Sequence, residues 1–205
     1  MAMMVTAGIA GASASVPALP GTGPEASAAG GQPTGITVDG HRNVMANHTV
    51  TLRGQVSPGG SHPVVVRVGG RRLHAHTNEG GSYKVRWRVP RSGVYGARAT
   101  VADATSVRSR TFRVNAFRPA EASYYGPGLY GGGLACGGTL SPGKLGVANK
   151  TLPCGSRVTL RYHGHTVTVP VIDRGPYAGN REYDLTAATK AKLGFPSTGT
   201  VLTTR

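Results

Sequence analysis

Between Thr49 and Val114, apolar and polar residues alternate in short runs separated by turn-forming residues. A period of two belongs to strands with one buried face. The clearest run is Tyr83-Lys-Val-Arg-Trp-Arg88, which turns Trp87 inward with Val85 and Val89 and leaves Lys84, Arg86 and Arg88 to water. Thr49–Val56, Val64–Val68, Leu73–Thr77, Val94–Val101 and Ser109–Val114 supply the other strands, with glycine, proline or serine between them. Short strands at this spacing predict a β-sandwich over residues 35–115.

A second unit is expected over residues 123–205, joined to the first by a hinge at 116–122. Its strands Arg157–Tyr162 and Thr166–Ile172 flank His163-Gly164-His165, a tight hairpin turn. One helix is predicted from Asp184 as N-cap to Leu193, with Lys190 and Lys192 in its last turn and Gly194 ending it. Residues 1–34 differ from both units. Met4 to Pro17 reads as a short apolar secretion signal with Ala12-Ser13-Ala14 as its cleavage site, and residues 15–34 read as a linker without bulky apolar side chains. No segment predicts a membrane-spanning helix.

Composition supports an all-β chain. Of 205 residues, 32 are glycine and 14 proline, and both disfavour helix interiors. The net charge of +15 implies anionic partners. Thirteen Lys and Arg fall within 35–115 against Asp39, Glu79 and Asp103, so the sandwich is the stronger electrostatic anchor. Its arginines alternate along strands instead of clustering with aromatics, which argues against nucleic acid.

Motifs for nucleotide binding, zinc proteases and serine hydrolases are absent, so no nucleotide, cofactor or metal is expected. His74 with His76, and His163 with His165, lack an obvious third ligand and read as surface histidines. Cys136 and Cys154 are the two cysteines, and a secreted setting predicts a disulfide between them. Among the carboxylates of the second unit, Asp173 follows the apolar strand Val167–Ile172 and precedes a turn, a place suited to a general acid. Its alternative reading is a turn cap or a partner of Arg174. Six of the eight tyrosines lie in this unit, and Tyr124, Tyr125 and Tyr130 in a glycine-rich run suggest a stacking floor for sugar rings.

Ala122-Ser-Tyr-Tyr-Gly126, Ala148-Asn-Lys-Thr-Leu-Pro-Cys-Gly155, Val171-Ile-Asp-Arg-Gly-Pro-Tyr177 and Tyr183-Asp-Leu-Thr-Ala-Ala188 occur in one order. Together they resemble the rare lipoprotein A (RlpA) family, whose double-psi β-barrel is shared with expansins and barwin. The resemblance implies a six-stranded barrel with one short helix. It also implies a secreted, wall-associated monomer acting on peptidoglycan or another anionic wall polysaccharide as a lytic transglycosylase. Asp173 matches the family's catalytic aspartate. Tyr124, Tyr125, Tyr130, Asn149, Arg174 and Tyr177 are the expected saccharide-binding residues. Active relatives carry a glutamate where this chain has Gly138 and a histidine where it has Asn149. The alternative is therefore an expansin-like module that binds or loosens polysaccharide without cleaving it. The sandwich has a generic likeness to bacterial immunoglobulin-like modules.

Overall fold

A computed structural model describes residues 31–205. The expected secretion signal, its cleavage site and most of the linker lie outside these residues. The first unit comprises β1 (Gly35–Ile36), β2 (Asp39–Gly40), β3 (Asn43–Met45), β4 (Thr49–Ser57), β5 (Pro63–Val68), β6 (Arg71–His76), β7 (Ser82–Arg88), β8 (Gly93–Val101) and the first half of β9 (Phe112–Tyr125). In one sheet, β4 pairs antiparallel with β7 on one side and with β1 and β2 on the other. The second sheet runs β6–β5–β8–β9, all antiparallel, with β3 added parallel to β9. Alternation decides what lies between the sheets. Leu52, Val56, Val85 and Trp87 from one meet Val64, Val66, Ala99 and Val114 from the other in a single core, while Lys84, Arg86 and Arg88 are exposed.

The second unit adds β10 (Val147–Ala148), β11 (Arg157–Tyr162), β12 (His165–Asp173), β13 (Tyr183–Thr186), α1 (Ala187–Leu193) and β14 (Gly199–Thr203). β11 and β12 form the expected hairpin about His163 and Gly164, both with positive φ. Starting from the second half of β9, the ladder passes through β14, β11, β12, β10 and β13. It then returns to β9 through the parallel pairing of Tyr183–Thr186 with Ala122–Tyr125. Six strands therefore close into a barrel without a free edge. Val147, Val158, Leu160, Val169, Leu185 and Leu193 fill its interior.

The expected hinge at 116–122 is instead the middle of β9. Phe112–Ala116 pair with β8, Arg118–Ala122 with β14, and Ala122–Tyr125 with β13. Ala116 and Phe117 are fully buried. Pro119 suggested a break, but partners from both units hold the backbone extended, so the sandwich and the barrel share one strand. The helix also starts later than expected. Asp184 is held in β13, and Thr186 is the N-cap, its Oγ1 accepting from the Thr189 N–H at 3.2 Å. Gly194 ends the helix in the left-handed conformation, after Lys190 and Lys192 in the last turn. Among the described residues no helix is long and apolar enough to cross a membrane.

Candidate functional site

Along β12, Val167, Val169 and Val171 point into the barrel. Simple alternation would send Asp173 the same way, burying a carboxylate among valines. A β-bulge prevents this. Val147 pairs with Val171 but Ala148 pairs with Asp173, so Ile172 is the extra residue and Asp173 changes face. Ile172 packs outside the barrel with Leu134, Leu140 and Tyr125, a small apolar cluster under the 126–146 loop.

Ala148 pairs on its other side with Asp184, and Asp184 pairs with Ser123. Register therefore lines up Asp173, Ala148, Asp184 and Ser123 across four strands on the outer face of the barrel. Two strand spacings separate the aspartates, about 9 to 10 Å between Cα atoms. Asp173 is partly exposed, and its Oδ1 accepts from the backbone N–H groups of Ala135 and Arg174, each at 2.9 Å. The Ser123 hydroxyl donates to Asp184 Oδ1 at 2.7 Å. Burial raises the Asp184 pKa; the Ser123 hydrogen bond and the Arg181 charge oppose this, and the Asp173 charge adds to it. Among the described residues the buried Tyr125 hydroxyl has no hydrogen-bond partner. Burial raises its pKa above the usual phenol range, and the nearby Asp173 and Asp184 carboxylates push in the same direction.

Several expected contact residues have other duties. Asn149 is buried; its amide donates to the Glu182 carbonyl at 3.0 Å, and its Oδ1 accepts from the Thr151 and Leu152 N–H groups at 3.1 and 2.8 Å. It fixes the 149–152 turn. Arg174 leaves Asp173 unpaired, because its guanidinium donates to the carbonyls of Asn149 and Leu152 at 3.2 and 2.8 Å. The tyrosines do not form one floor. Neighbouring residues of a strand face opposite ways, so Tyr125 joins the cluster beside Asp173 while Tyr124 lies under Lys190, whose Nζ is 4.3 Å from the ring centroid. Tyr130 and Tyr177 are exposed on loops, Tyr177 to 79%.

The disulfide joins Cys136 to Cys154 with Cα atoms 5.5 Å apart. It ties the loop that donates to Asp173 to the segment entering β11. Beside Asn149 the surface opens into a cleft of 430 Å³ rimmed by Arg118, Lys150, Arg181 and Glu182. Sequence reasoning assigned Asp184 to a helix cap and so missed it. The alternation Tyr183-Asp-Leu185, with apolar residues on both sides of the carboxylate, was the strand signal that could have found it.

A family model described as "Lytic transglycolase" matches residues 120–204, starting within β9. A probable endolytic peptidoglycan transglycosylase RlpA of Synechocystis is 40% identical over 80 residues, covering 38% of this chain and 25% of that protein. The endolytic peptidoglycan transglycosylase RlpA of Neisseria meningitidis serogroup A is 35% identical over 142 residues, covering 68% of this chain and 51% of its own. Among solved structures, the Streptomyces papain inhibitor aligns with 26% identity and a TM-score of 0.34, over 43% of this chain and 94% of its own. The chain spans a quarter to about half the length of these curated relatives. The bulged strand carrying Asp173, the closed six-stranded ladder and the family match over 120–204 agree: the C-terminal part of this chain is an RlpA-like double-psi β-barrel domain.

Proposed function

We propose that the barrel acts outside the cell on peptidoglycan glycan strands, as a lytic transglycosylase whose general acid and base is Asp173. One observation carries this reading: a bulge turns that carboxylate out of the core into a polar row with Asp184, beside the Tyr125 hydroxyl. The names of the relatives supply the substrate class and reaction type. The chemistry asks little of the protein. Asp173 gives a proton to the glycosidic oxygen as the C1–O4 bond of the muramic residue breaks. It takes one from the same residue's 6-hydroxyl as the C1–O6 bond forms, so protons balance and no water enters. Two backbone donors on Oδ1 fix the carboxyl while Oδ2 has no protein donor among the described residues. Asp184 is the second carboxyl on that face. Burial raises its pKa, and the Ser123 hydroxyl holds it in place.

A second reading, a module that binds glycan without cleaving it, is favoured by Gly138 and Asn149. Gly138 has φ +78 and offers no side chain where active relatives have a glutamate, and the Asn149 amide is already bonded to the Glu182 carbonyl and to the Thr151 and Leu152 N–H groups. Mass spectrometry of soluble products from peptidoglycan incubated with the full chain separates the two. Anhydro-muropeptides that fall by about 10²-fold or more in Asp173→Asn are expected. Reducing-end products would assign hydrolysis through the Asp173–Asp184 pair, and sedimentation with the wall without any products would establish the binder.

A further inference from the structure

The outer face of the second sandwich sheet lies outside the barrel and the Asp173 row, and its arrangement runs against ordinary sheet electrostatics. Arg72 pairs directly with Arg67, and Arg67 directly with Arg98, so three guanidinium groups stand in one row across β6, β5 and β8. Like charges set opposite each other on neighbouring strands destabilise a sheet. Nothing on this face offsets them. β5, β6, β8 and the sandwich half of β9 contain no Asp or Glu, and the sole ion pair among the described residues, Arg118–Glu182, lies in the barrel. Arg98 is held in place, its Nη2 donating to Thr111 Oγ1 at 2.8 Å.

Beside the row lies a depression of 340 Å³ bordered by Arg67, Arg71 and Arg72 and floored by Gly69, Gly70 and Gly96. Gly69 and Gly70, at φ +55 and +75, form the two-residue turn between β5 and β6. A Cβ at Gly69 would lie 2.6 Å from the Trp87 ring, so glycine is needed there on two counts. The floor thus lets an extended chain approach the backbone while arginines reach it from the side. Arginine suits such a task because its planar fork matches phosphate oxygens in pairs.

We infer that the Arg72–Arg67–Arg98 row and its glycine-floored depression bind a linear polymer of closely spaced phosphodiester groups, of the kind attached to bacterial wall polysaccharide. Closely spaced anions answer a row of cations one strand spacing apart better than isolated carboxylates do. Trp87 and Tyr95 pack edge to face with each other at the sandwich core, and Tyr83 is buried there too. They therefore offer no platform for nucleic-acid bases. The polymer's setting, a cell wall, rests on the peptidoglycan reading of the barrel, whereas its chemistry rests on the sheet face alone.

The test uses the full chain and three probes: soluble poly(glycerol phosphate), a DNA duplex, and peptidoglycan stripped of phosphodiester polymers by hydrofluoric acid. Wild-type protein is expected to bind poly(glycerol phosphate) more tightly than the duplex, with affinity falling steeply as salt rises. The triple variant Arg67→Gln/Arg72→Gln/Arg98→Gln is expected to bind that polymer about ten-fold more weakly at 0.1 M salt and with a flatter salt dependence. Its retention on stripped peptidoglycan, which reports the barrel, should not change. Its thermal midpoint should equal or exceed that of wild type, because opposed like charges are gone. Undiminished polymer binding by the variant, tighter binding of wild type to the duplex, or equal losses on polymer and stripped wall would each overturn the assignment. Failure of wild type to hold stripped peptidoglycan would count against the barrel reading alone.

Discussion

The sandwich and the barrel are both all-β, yet they handle alternation and charge in opposite ways. In the sandwich, apolar-in and polar-out holds strand after strand, and none of its cations is in an ion pair among the described residues. In the barrel, alternation breaks at Ile172, and that break turns the carboxyl of Asp173 outward. Every barrel carboxylate also has a donor: Thr200 for Glu121, Arg118 for Glu182, Ser123 for Asp184, and two backbone N–H groups for Asp173. A regular pattern makes a scaffold with a charged skin. A local departure from it, held by specific hydrogen bonds, makes a site.

The largest effect is expected where the regular half is most dependent on one side chain. Trp87 is 3% exposed, packs edge to face on Tyr95 with ring centroids 5.0 Å apart, and lies beneath the Gly69 turn. Trp87→Ala should cost about 3 to 5 kcal/mol by chemical denaturation. Because β9 is common to both units, the barrel should lose stability in the same transition. Two well-separated transitions in the variant would show that the shared strand does not couple the units.

A smaller loss is expected on the irregular side. Replacing Cys136 and Cys154 together with serine releases the loop that donates to Asp173 and should cost about 3 kcal/mol, the entropic value for a loop of this length. Trp87 fluorescence, although it reports from the sandwich, should follow the same shifted transition as the barrel, because β9 is common to both.

The smallest effect sharpens the electrostatic contrast. Asp184 has a raised pKa in the folded chain, so the folded state binds its proton more tightly than the unfolded chain does. Its contribution to stability is therefore favourable in acid and is lost as pH rises from the ordinary carboxylate range through the raised value. Asp184→Asn keeps an acceptor for Ser123 but removes the buried charge. The variant should melt at a higher temperature than wild type at neutral pH, and the difference should close as pH falls below the carboxylate range. A difference independent of pH would mean that packing and not charge is responsible.

Much of this was legible in the chain. The alternation about Trp87, the glycine turns, the His163-Gly164 hairpin and the Cys136–Cys154 pairing depend on residues close in sequence or on there being only two cysteines. Asp173 was legible too, as a carboxylate ending an apolar strand. What was misread shares one cause. The hinge at 116–122 and the helix cap at Asp184 were inferred from local chemistry that distant partners override.

By itself, the sequence determined which residues could be strands, which faces would be apolar, and that the sandwich would carry unbalanced positive charge. Only the tertiary structure decided that Asp173 faces outward, that Asp184 stands in its row, and that three arginines face one another. Those outcomes depend on register between strands far apart in the chain. Periodicity fixes which side of its own strand a residue occupies, but it does not specify which residue of another strand lies opposite, or where an extra residue will reverse the order.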